Sequence, residues 1–81
     1  MNEIIIGAKA LIKQLDDEMS RTARQITEAV RLLAGDFSEA EMDTIRAYIN
    51  ELVAAHNRAN ERHARAVRDL QNARDELALA R

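Results

Sequence analysis

Arg31-Leu32-Leu33-Ala34-Gly35-Asp36-Phe37-Ser38-Glu39-Ala40-Glu41-Met42 is the stretch that decides the fold, because it holds a helix stop and a helix start within a few residues. Gly35 follows the last apolar residues of one periodic segment, where a glycine relieves the left-handed backbone that ends many helices. Arg31 falls in the last turn, facing the negative end of the helix dipole. Ser38 and Glu41 then form an S-x-x-E capping box, which satisfies two of the amides that a helix start leaves without partners. These signals predict a helix over about 3–34, a turn at 35–38 and a second helix over about 39–80, in one hairpin domain spanning 1–81.

Outward from the turn, apolar residues recur every seven positions on both sides. The first segment places Ile5, Ile12, Met19, Ile26 and Leu33 at a, with Ala8, Leu15, Thr22 and Ala29 at d. The second places Met42, Ile49, His56, His63, Leu70 and Leu77 at a, with Ile45, Leu52, Ala59, Ala66, Ala73 and Ala80 at d. A short connection makes the two helices antiparallel. Matching a to d across the pair gives layers whose residue numbers sum to 71, which set Leu15 against His56 and Ala8 against His63. The fold class expected is all-α: an antiparallel, coiled-coil-type two-helix hairpin whose second helix is longer.

Length governs what else is needed. The helices span roughly 47 Å and roughly 63 Å, so the layers predict an overhang in which Leu70, Ala73 and Leu77 have no first-helix residue opposite them. Ile4, Leu11 and Leu32, with Tyr48, Val53 and Val67, widen the apolar stripe beyond one seam. Together these nine residues are the expected interaction surface. An 81-residue chain without cysteine has neither disulfides nor thiolate metal sites to stabilise a small core, and oligomerisation is the usual alternative. A dimeric helical bundle is therefore expected.

Composition excludes several classes of function. The chain has no proline, two glycines, and Phe37 and Tyr48 as its only aromatic residues, so it offers no stacking platform for bases. Its net charge of −2 exerts no strong pull on polyanions. Arg58, Arg62, Arg65 and Arg68 make a candidate stripe for an anionic partner, diluted by Glu61 and Asp69, and nucleic acid is not the expected partner. Asp16-Asp17-Glu18 reads as a solvated patch. His56 and His63, on consecutive a positions, are a candidate pH-sensitive core, since imidazole changes charge near neutrality. They stand about 10 Å apart on one helix, too far to share a metal ion. No nucleophile elbow, zinc-protease motif or phosphate loop is present. No enzyme activity, cofactor or metal is expected.

The amino-terminal sequence Met1-Asn2-Glu3 lacks a basic region, and Ile4-Ile5-Ile6 stops at Gly7, too short for a signal peptide or a membrane span. Cytoplasmic location is the expectation. Arginine outnumbers lysine ten to two amid abundant alanine, a composition associated with bacterial and phage genomes. The function expected is a small accessory protein that binds and masks or inhibits a larger protein. The alternatives are a secretion-type co-chaperone and an RNA-binding hairpin dimer.

Overall fold

The computed structural model describes residues 2 to 80, with side chains from residue 3 onward. Two helices, α1 (Asn2–Leu32) and α2 (Glu39–Leu79), pack against each other as a hairpin, and there is no strand among the described residues. The capping box forms as the sequence predicts. Ser38 Oγ accepts from the Glu41 amide at 3.2 Å, and the Ser38 amide donates to Glu41 Oε1 at 3.1 Å. The bond from the Ser38 amide, with the serine hydroxyl second, holds the exposed Glu41 carboxyl below the usual 4.5.

The turn differs from expectation in two respects. α1 ends at Leu32, because the amides of Leu33, Ala34 and Gly35 bond three residues back, to the carbonyls of Val30, Arg31 and Leu32, at 3.1, 3.2 and 3.0 Å. This tighter winding satisfies carbonyls that a continuing α-helix would have used. Nor does Gly35 adopt the left-handed conformation, since no glycine among the described residues has positive φ. Its smallness is what matters: a Cβ there would stand 2.7 Å from Cε2 of Phe37 and 3.1 Å from the Leu32 carbonyl oxygen. The absent side chain makes room for the Phe37 ring to fold back toward the end of α1.

Both seven-residue registers describe which side chains face inward. Among the d positions Leu15, Thr22, Ala29, Ala59, Ala66 and Ala73 are buried, and every described a position is buried or half-buried. The pairing between the helices runs one heptad longer than expected. His56 meets Thr22, not Leu15, and His63 reaches Asp16, not Ala8. Thr22 and His56 sum to 78, and that register sets Leu70 against Ala8 and Ala73 against Ile5. Accordingly Leu70 is 9% exposed and Ala73 6%. The sum of 71 takes the two helices as leaving the turn level with each other. Side-chain lean toward each helix's own N-terminus pairs an α1 residue with an α2 residue further from the turn, by about two positions, and the rest of the shift is an axial offset between the helices, which buries Leu70 and Ala73 against α1.

The overhang is correspondingly shorter than predicted. Leu70 and Ala73 belong to the hairpin core. Leu77 is half-buried, and beyond it Leu79 stands 87% exposed. The molecule is a rod of 65 × 14 × 14 Å with a radius of gyration of 18.4 Å, against about 12 Å for a compact chain of this length. No helix among the described residues is long and apolar enough to cross a membrane.

Candidate interaction surfaces

A helix turns about 100° per residue, so side chains that flank a seam fall on opposite sides of it. The residues expected to form one interaction surface are therefore split between two flanks. Ile4, Leu11, Leu32 and Tyr48 belong to one flank. There a shallow groove is lined by Gln25, Glu28, Ala29, Leu32 and Tyr48, and its neighbour near the turn by Leu32, Phe37, Glu41, Thr44 and Ile45. Val53 and Val67 belong to the other flank, joined by Val30. All three valines are exposed, as are Ile4, Leu32 and Tyr48, while Leu11 is half-buried.

The arginines divide as well. Arg58, Arg62 and Arg65 follow the phase of Tyr48 and lie exposed along the first flank, whereas Arg68 turns toward the outer back of α2. Glu51 shares that flank at the turn end of α2, and Glu18 with Arg21 lines a groove on α1 together with Gln14, Thr22 and Gln25. The first flank is thus a mixed field in which acidic and basic groups alternate in bands. Arg58, Arg62 and Arg65 share this flank as a basic band, and Arg68 lies outside it.

The histidines are positioned by α1. His56 Nδ1 lies 2.7 Å from Thr22 Oγ1, and His63 Nε2 lies 2.9 Å from Asp16 Oδ1. Thr22 Oγ1 is also 3.0 Å from the Glu18 carbonyl and 3.1 Å from that of Met19. One hydroxyl hydrogen serves those carbonyls, so the arrangement satisfying every group has His56 donating from Nδ1–H to the hydroxyl oxygen. Both rings are half-buried. Their partners Thr22 and Asp16 were missed in the sequence because level-for-level pairing takes the axial offset of the two helices as zero and ignores side-chain lean. Asp16, still exposed, reaches across the seam to His63.

Among the described residues no three His, Asp or Glu side chains converge to hold a metal ion. What the surface offers is area. The accessible surface is 6161 Å², where a folded monomer of 9.1 kDa exposes about 4,900 Å². The excess, roughly 1,200 Å², exceeds the roughly 800 Å² that each partner contributes to a standard interface. No protein-family model matches the chain, and comparisons with characterised proteins and with solved structures return no match.

Proposed function

We propose that this chain is a non-enzymatic protein-interaction module, a coiled-coil-type helical hairpin that dimerises and binds a larger protein, masking or inhibiting it in the cytoplasm of a bacterium or a phage-infected cell. The observation that carries the reading is surface left over after the hairpin has closed its own seam. Val53 and Val67, two heptads apart on α2, and Val30 on α1 are exposed on one flank, and the molecule exposes far more area than its mass requires. Apolar side chains in a row on a helical face are how helices engage protein partners.

The test is paired affinity capture. Wild-type protein and a Val53→Asp, Val67→Asp variant are immobilised, and retained proteins are compared quantitatively after circular dichroism has shown equal helicity. A partner held by the wild type and lost by the variant is the expected result. Equal retention by both, or no retained protein from either, overturns the assignment.

A further inference from the structure

The flank carrying Tyr48 has a charge pattern that fits a second copy of itself. Along α2, Glu51 lies turnward of Arg58, Arg62 and Arg65, with Asp69 and Glu76 beyond them toward the open end, and all six are exposed. None of the three arginines has a carboxylate within ion-pair distance among the described residues, where Asp43 pairs with Arg46 and Asp16 contacts His63. A two-fold axis perpendicular to the rod lays this flank on its copy with α2 against α2 and the direction reversed. The acidic band of each then meets the basic band of the other.

The register can be followed residue by residue. Setting Glu51 against Arg62 of the copy also sets Tyr48 against Arg65, a guanidinium over an aromatic face, and brings the small Ala55 beside Arg58 near the axis. On α1 the same operation is checked independently. Thr22 contacts His56, and side-chain lean separates contact from backbone level by about two positions, so Arg62 stands near the level of Asp16 and the axis passes near residues 20 to 22. Leu11 then falls opposite Leu32 of the copy, and Glu18 opposite Gln25.

The second flank lacks this property. Its carboxylates, Asp16 and Asp43, are already paired within the chain, while Lys9, Lys13 and Arg74 leave it basic toward the open end. From the charge order on α2, the apolar match on α1 and the area available, we infer that the Ile4–Leu11–Leu32–Tyr48 flank is the homodimer face, and that the two hairpins pack antiparallel with Glu51 against Arg62. This inference rests on the reading that the chain self-associates and specifies how it does so. A two-fold contact of this kind uses each complementary pair twice, so a single change acts at two places.

The chain is free of cysteine among its described residues, so introduced thiols report geometry without interference. Leu11→Cys and Leu32→Cys proteins are oxidised separately and as a mixture, under glutathione exchange. Residues 11 and 32 stand roughly 32 Å apart along α1, far beyond disulfide reach. The mixture is expected to form a cross-linked dimer and each protein alone to form little. In parallel, Arg62→Glu is expected to weaken dimerisation about tenfold or more by sedimentation, with recovery when Glu51→Arg is added to the same chain. Efficient cross-linking of Leu32→Cys with itself, or a dimer indifferent to Arg62→Glu, overturns this geometry while leaving self-association standing. A wild-type chain that stays monomeric and helical at about 100 µM, far above the Kd of a specific dimer, overturns both.

Discussion

His56 on α2 and Thr22 on α1 meet at 2.7 Å across the middle of the hairpin, a polar layer between apolar ones. The contact removes a ring donor and a hydroxyl acceptor from competition with water, and each depends on the other. Thr22→Val keeps the volume of the threonine but strands the His56 nitrogen, which costs about 1–3 kcal/mol for a buried group and less for a half-buried one. His56→Leu strands no donor on α1, because the threonine hydroxyl keeps the Glu18 and Met19 carbonyls. Urea titrations of the two single variants and the double variant are expected to show a coupling of about 0.5–1.5 kcal/mol. Additive losses would place the two side chains out of contact in solution.

The start of α2 sets a second expectation. Ser38→Ala removes the acceptor for the Glu41 amide and is expected to cost about 1 kcal/mol in thermal or urea unfolding. The pH dependence follows from the direction of the Glu41 shift. Its carboxyl is held below 4.5 in the folded chain by the Ser38 amide, so its contribution is fully present above the unfolded value and is lost as pH falls through the lower folded one. Glu41→Gln should therefore flatten the loss of stability on acidification below about pH 5. An acid limb unchanged by the substitution would show that the carboxylate is not held by the cap.

Gly35 and Phe37 are expected to couple as well. Gly35→Ala drives a methyl against the Phe37 ring and should destabilise the hairpin by about 1 kcal/mol, within the range for modest overpacking. With Phe37→Ala in the background, most of that loss should vanish, leaving only the closer approach to the Leu32 carbonyl. A Gly35→Ala cost of equal size in both backgrounds would assign the penalty to the backbone.

Leu70 and Leu79 separate core from overhang. Leu70→Ala empties a buried site opposite α1 and should cost about 2–3 kcal/mol, whereas Leu79→Ala, at a side chain 87% exposed, should leave stability within about 0.5 kcal/mol. Thermal unfolding followed by circular dichroism distinguishes them. Equal tolerance at both positions would return Leu70 to the overhang.

How far the chain could be read before its structure is well shown by these same residues. The inward faces of both helices were legible, because a seven-residue repeat specifies them through the geometry of a single helix, and so was the Ser38–Glu41 cap, which is local. The pairing between faces was not. It depends on the axial offset between the helices as well as on where side chains point, and a one-heptad slip leaves the pattern of each helix unchanged while exchanging every partner. That is why His56 was set against Leu15 and Leu70 against nothing. Gly35 was legible as a turn residue but not in its reason, since a small residue and a left-handed one leave the same letter in a sequence. The split of the apolar flanks was implicit in the angular step per residue, yet Val53 and Tyr48 become members of different surfaces only once the seam between them is closed.

The hairpin is held by layers strung along one line from a single turn, and this gives it an order of opening. Leu33 and Ile45 are joined by a short loop, whereas Ala8 and Leu70 are separated by about sixty residues of chain, so the layers at the open end close only after those nearer the turn have shortened the loop between them. Amide exchange should therefore run as a gradient, slowest between the turn and the Thr22–His56 layer and fastest toward residues 3–10 and 70–79. The molecule behaves as a zip with one fixed end, and whatever grips its free end would hold the whole length shut.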